Sequence, residues 1–175
     1  MPHVLITGMT ESGKSTLARQ IAALRKQQGR GVLVLDPIQD KPWPCDFITR
    51  DAAEFLDMVW ASECCDVIVD EAGDMIGQYD KLMSQLASQG RHFAVRNGTY
   101  GGGHNCYFIV QRAHMVAPTV RTQCRMLYAF AQDLEDALSL KKSWGHEELL
   151  QCPHLAQGAY IYCERFKGVQ RGRIF

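Results

Sequence analysis

Gly8-Met9-Thr10-Glu11-Ser12-Gly13-Lys14-Ser15 reads G-x-x-x-x-G-K-S, the spacing of a phosphate-binding loop. Before it, His3-Val4-Leu5-Ile6-Thr7 is an apolar strand; after it, Thr16 to Arg25 is an amphipathic helix with Leu17, Ile21 and Leu24 on one face. Strand, loop, helix is the setting that this chemistry needs. Gly8 and Gly13 let the backbone curl so that successive N–H groups point at phosphate oxygens, and the helix N-terminus adds partial positive charge. Met9, Thr10, Glu11 and Ser12 form the body of the loop. Lys14 reaches the β- and γ-phosphates, the Ser15 hydroxyl ligates Mg²⁺, and Thr16 continues the first helical turn. Gly8 to Thr16 is therefore the candidate nucleotide-binding segment, with ATP and Mg²⁺ as the expected cofactors.

The chain has 175 residues, enough for one domain spanning 1–175 with a substantial core. Its 46% hydrophobic and 22% charged residues are ordinary for a soluble globular protein. No apolar run approaches the ~20 residues of a membrane span, and the N-terminus enters a strand without a signal peptide. Seven cysteines, none in a C-x-x-C pair, point to reduced thiols in a cytosol. With a net charge of zero, any nucleic-acid contact must come from local basic patches.

Gly31 to Leu35 is a second buried strand, ending at Asp36-Pro37, and Asp46 to Thr49 a short third one. Asp51 caps a helix through Ser62. Asp66-Val67-Ile68-Val69 then delivers Asp70 and Glu71 at the carboxyl end of a strand, where ligands bind in a parallel sheet. Asp70 suits the Mg²⁺ shell, and Glu71 suits orienting and deprotonating an attacking water. Tyr79, Leu82, Met83 and Leu86 mark a helix face that stops at Gly90. Arg91 to His104 is long, glycine-rich and basic: either a plain surface connection, or a segment through which Arg91 or Arg96 reaches a neighbouring subunit's ATP or nucleic acid. Cys106 to Val110 is a strand ending at Gln111, which is suited to hydrogen-bonding the attacking water. Pro118 begins a short helix through Gln123, Arg125 to Ala131 is a fifth apolar strand, and Asp133 caps a helix to Trp144. A short helix spans Glu147 to Gln151. Two late strands, Ala159–Cys163 and Gly172–Phe175, are joined by a basic turn with Arg165, Lys167 and Arg171. Strands alternating with helices define an α/β fold with a mostly parallel central sheet flanked by helices and a C-terminal β-hairpin. Arg96, His104, Lys167 and Arg171 are the candidate DNA contacts. The three tryptophans and the cysteines read as packing residues.

The phosphate loop, Asp36-Pro37, Asp70-Glu71, Gln89-Gly90-Arg91, Ile109-Val110-Gln111-Arg112 and Thr122-Gln123-Cys124 together resemble the FtsK–HerA superfamily of DNA-pumping ATPases. The compact size is similar to the genome-packaging ATPases of membrane-containing icosahedral viruses. The resemblance covers Val4 to about Tyr162 and departs from the family's pattern in the insertion from about Val95 to Asn105. It implies a RecA-like P-loop fold and a ring, expected to be hexameric, with ATP between subunits. An arginine is supplied in trans; Arg91 fits that position best and Arg96 is the second candidate. It also implies double-stranded DNA as substrate, capsid or membrane-vertex proteins as partners, and a location in the host cytoplasm or on the virion.

Catalysis is therefore assigned to Lys14, Glu71, Gln111 and Arg91, in an ATP hydrolase that drives DNA translocation. A small-molecule P-loop kinase, a cellular or plasmid DNA pump, and a non-enzymatic nucleotide-bound scaffold are the alternatives. A GTPase is disfavoured because no Asn-Lys-x-Asp segment is present.

Overall fold

The computed structural model describes residues 3–70, 78–90 and 103–175. The strands are β1 (His3–Thr7), β2 (Val32–Leu35), β3 (Phe47–Thr49), β4 (Asp66–Val69), β5 (Asn105–Val110), β6 (Cys124–Ala129), β7 (Ala159–Glu164) and β8 (Val169–Arg173). The α-helices are α1 (Lys14–Gln27), α2 (Ala52–Ala61), α3 (Gln78–Gln89), α4 (Pro118–Gln123) and α5 (Leu134–Trp144), with 3₁₀ turns at Ala113–Met115 and Glu147–His154.

The strands form one 8-stranded sheet in the order β3-β2-β4-β5-β1-β6-β7-β8. From β3 to β6 every neighbour is parallel, and β7 and β8 add an antiparallel hairpin on β6. The strands β1, β2, β4 and β5 are buried at every position, as a sheet covered on both faces requires. Their alternation sorts them into two cores. Val4, Ile6, Val34 and Ile68 pack with Leu17, Ala18 and Ala22 of α1. Leu5, Leu35, Val69 and Phe108 face the other way, against Phe55 and Val59 of α2, Leu82 and Leu86 of α3, and Leu140 of α5. Phe55 and Phe108 are fully buried; truncating either to alanine would remove about 3–5 kcal/mol.

Local signals explain the helix ends. The Asp51 carboxylate accepts from the N–H groups of Ala53 (2.9 Å) and Glu54 (2.8 Å), and Asp133 accepts from Asp136 N–H (2.8 Å). The buried face of α1 differs from the expected one. Leu17 is buried but Leu24 is 50% exposed, and Ala18 and Ala22 take the innermost positions. Small side chains let the helix axis approach the sheet, so the closest stripe is the alanine one. In the hairpin, β8 starts at Val169, so Arg171 lies on the outer strand and the turn is Arg165 to Gly168.

Candidate nucleotide site

The sheet order determines the site. β5 lies between β4 and β1. Its register pairs Thr7 with Val110 and Val69 with Phe108. The chain leaves β1 into the phosphate loop, β4 into Asp70 and β5 into Gln111, all at the same carboxyl edge.

The loop is held from behind. Met9 N–H donates to Ala131 O (2.8 Å) and Phe130 N–H to Thr7 O (2.8 Å). Gly8 has φ 151°, and a Cβ there would lie 2.6 Å from Phe130 Cβ, so only glycine lets the loop turn this close to β6. Gly13 caps α1. Lys14 is 7% exposed, and its Nζ donates to Met9 O (2.8 Å), which keeps the ammonium at the loop instead of in solvent. Ser12 Oγ is buried with no hydrogen-bond partner among the described residues, an unsatisfied hydroxyl inside the loop.

A cavity of about 560 Å³ opens in front of the loop, within the range that encloses small ligands. Lys14, Ser15 and Thr16 line it together with Asp70, which is 4% exposed. A hydroxyl and a buried carboxylate on one cavity fit Mg²⁺, which takes one or two protein oxygens and completes its shell with water and phosphate.

The cavity is also lined by residues to which the sequence assigned no role in the site. Asp36 is 2% exposed at the end of β2. Its carboxylate accepts from the N–H groups of Ile38 and Gln39 (2.9 Å each) and from Trp43 Nε1 (2.8 Å). Trp43 thus pins the wall from Ile38 to Lys41 as well as filling space. Arg19 stacks over Trp43 at 4.6 Å and donates to Asp40 (3.2 Å). From the far end of the chain, Gln157 and Phe175 reach the same cavity.

Gln111 is half-buried. Arg112, next to it, donates to Asp136 and Asp133 (3.0 Å each) and to Glu135 (3.3 Å), tying the loop after β5 to the first turn of α5. His114 Nδ1 lies 2.6 Å from the second oxygen of Asp136.

Glu71, Arg91 and Arg96 lie outside the described residues. His104 requires correction as a DNA contact: it is 0% exposed, and its Nδ1 accepts from Cys65 N–H (3.1 Å). His104 directly precedes β5 inside the core, so the imidazole serves the sheet. Lys167 and Arg171 are exposed. Lys167 pairs with Glu164 (3.0 Å) at the hairpin turn, and the antiparallel register sets that turn at the sheet edge opposite the phosphate loop.

No family model matches the chain, and no curated protein does. The fold nevertheless has clear structural counterparts and is that of a RecA-like P-loop ATPase. The genome packaging NTPase B204 of Sulfolobus turreted icosahedral virus 2, in complex with AMPPCP, matches with a TM-score of 0.76 at 14% identity over 99% of this chain and 98% of that one. VirB4 of Thermoanaerobacter pseudethanolicus matches with a TM-score of 0.71 at 12% identity over 98% of this chain and 88% of that one. The pCW3 conjugation coupling protein TcpA matches with a TM-score of 0.63 at 16% identity over 98% of this chain and 59% of that one. These neighbours agree with the resemblance drawn from the sequence motifs.

Proposed function

We propose that the protein is a Mg²⁺-dependent ATP hydrolase that drives double-stranded DNA translocation, packaging a viral genome into a capsid. The observation that carries this reading is that Lys14, Ser15 and Asp70 share one cavity. The neighbour in complex with AMPPCP supports the nucleotide, and the DNA-packaging ATPase B204 from Sulfolobus turreted icosahedral virus, which has the same fold, supports the DNA. A plasmid or cellular DNA pump is the second reading, favoured by the conjugation coupling neighbour; the higher TM-score of the match to the packaging NTPase favours the first.

In this reading the loop N–H groups, the N-terminus of α1 and Lys14 hold the phosphates and neutralise their charge. Ser15 Oγ and the Asp70 carboxylate hold Mg²⁺, which when bound offsets the charge that develops on the phosphoryl oxygens. Glu71, next to Asp70 in the chain, accepts a proton from the attacking water. The water oxygen bonds to the γ-phosphorus as the bond to the β–γ bridging oxygen breaks. Gln111 hydrogen-bonds the same water and links its presence to the loop anchored through Arg112. Arg91, or else Arg96, is supplied in trans within a hexameric ring, and capsid or membrane-vertex proteins are its partners in the host cytoplasm or on the virion.

The test is steady-state ATP hydrolysis with Mg²⁺, with and without long double-stranded DNA, at two salt concentrations. Stimulation by DNA that fades with salt is the expected result, because phosphate contacts release counterions. Glu71→Gln should bind ATP and fail to turn it over. Turnover indifferent to DNA, or phosphate transfer to a metabolite without DNA, overturns the reading.

A further inference from the structure

The cavity has two chemically different ends. Asp36 and Asp70 lie on the side of β2 and β4; Gln157 and Phe175 lie on the side of β7 and β8. β1 and its phosphate loop run between them, since the sheet order sets β5 and β4 to one side of β1 and β6, β7 and β8 to the other. A triphosphate seated on the loop directs its terminal phosphate towards the acidic end. The rest of the nucleotide then extends towards Gln157 and Phe175.

That end is built to receive a flat apolar group. Phe175 is 64% exposed at the rim of a polar cavity. Its ring rests against Gly158, where a Cβ would come within 2.7 Å of Cε2 and 2.8 Å of Cζ, so only glycine admits this contact. Two hydrogen bonds fix this platform to the phosphate loop, and a third ties its own two segments together. Gly158 N–H donates to Ser12 O (3.1 Å), Gln157 Nε2 donates to Glu11 O (3.1 Å), and Ile174 N–H donates to Gly158 O (3.0 Å). The backbone that carries and supports the ring is therefore positioned relative to the phosphate site by the fold, and a preorganised platform loses little entropy on binding.

We propose that Phe175 is the stacking platform for the nucleotide's purine base, with the Gln157 amide beside it to meet the base edge. This rests on the ATP reading above. Every purine offers a π-face to an aromatic ring. The Gln157 amide, with one N–H engaged by Glu11, retains a second N–H and an acceptor oxygen suited to a base edge.

The test compares equilibrium binding of Mg-ATP and Mg-tripolyphosphate, the second having the phosphates without the base. Phe175→Ala and Phe175→Leu should each weaken ATP binding about tenfold, the effect of losing one base–aromatic stack, and leave tripolyphosphate binding unchanged. Phe175→Tyr should keep wild-type affinity for both. The leucine variant retains an apolar side chain against Gly158, which separates loss of the π-face from damage to the clamp. Equal weakening of both ligands by Phe175→Leu overturns the proposal, and so does unchanged ATP affinity, which would leave Phe175 to a contact with a second copy of the chain. Wild-type protein that binds neither ligand overturns the nucleotide reading itself, and the platform with it.

Discussion

Asp66 and Asp70 stand at opposite ends of β4, both buried, in very different surroundings. Asp66 is enclosed by its own chain: Tyr107 Oη and Asn105 Nδ2 donate to Oδ1 (2.9 Å each), Arg25 lies 3.5 Å away, and Arg30 pairs with Oδ2. Burial, reinforced by the Asp66 charge, pushes the Tyr107 hydroxyl well above its ordinary pKa and keeps it a donor. Asp70 instead lines the cavity with Lys14 and Ser15. The amino edge of the sheet surrounds its carboxylate with partners from four distant side chains and gains rigidity. The carboxyl edge places its carboxylate on the wall of a cavity where a ligand fits, as open parallel sheets do.

Substitutions at the two positions should therefore separate stability from activity. Asp66→Ala leaves two arginines without their buried counter-charge and strips Tyr107 and Asn105 of an acceptor. It should lower stability by about 3–5 kcal/mol, seen as a melting temperature lower by roughly 10 °C, with ATP affinity unchanged where the variant is still folded. Asp70→Asn should do the reverse: hydrolysis falls about a hundredfold or more, the scale of losing a metal's charge stabilisation, while the melting temperature barely moves. If Asp66→Ala abolished turnover at full stability, or Asp70→Asn unfolded the protein, the contrast between the two edges would be wrong.

The residues on either side of that contrast were unequally legible. Gly8 to Ser15, the strand ending at Asp70 and the strand ending at Gln111 announce themselves because motif and element coincide in consecutive residues. Gln157, Phe175 and Trp43 carry no such signal. A lone aromatic reads as packing, and only the pairing of β7 with β8 brings Phe175 back to a loop that begins at Gly8. The same holds for Leu24, whose helical spacing is sound but whose neighbours Ala18 and Ala22 sit closer to the sheet. Nothing in the sequence marks Asp66 as a buried ion-pair centre, because its partners Arg25, Arg30 and Tyr107 come from distant segments.

His104 belongs to the same amino edge and allows the finest test of it. Its Nδ1 accepts from Cys65 N–H at 3.1 Å, so the fold requires a neutral ring with that nitrogen unprotonated. Burial is the main influence lowering its pKa and Arg30 adds to this, while hydrogen bonding with the backbone of Val59 and Cys65 and the charge of Asp66 oppose it without cancelling it. A His with a depressed pKa binds a proton more readily in the unfolded chain, where the value is about 6.5. Stability is thus fully present above that pH and declines below it, by up to about 1.4 kcal/mol per pH unit until the folded-state value is passed. His104→Gln keeps an acceptor for Cys65 N–H and does not titrate. Denaturant melts of both proteins from pH 7 to pH 5 should give a steeper loss for the wild type, and the difference between the two curves isolates this ring from the other histidines. Parallel curves would mean that the imidazole tolerates its proton inside the fold, and that the amino edge is less closed than its hydrogen bonds indicate.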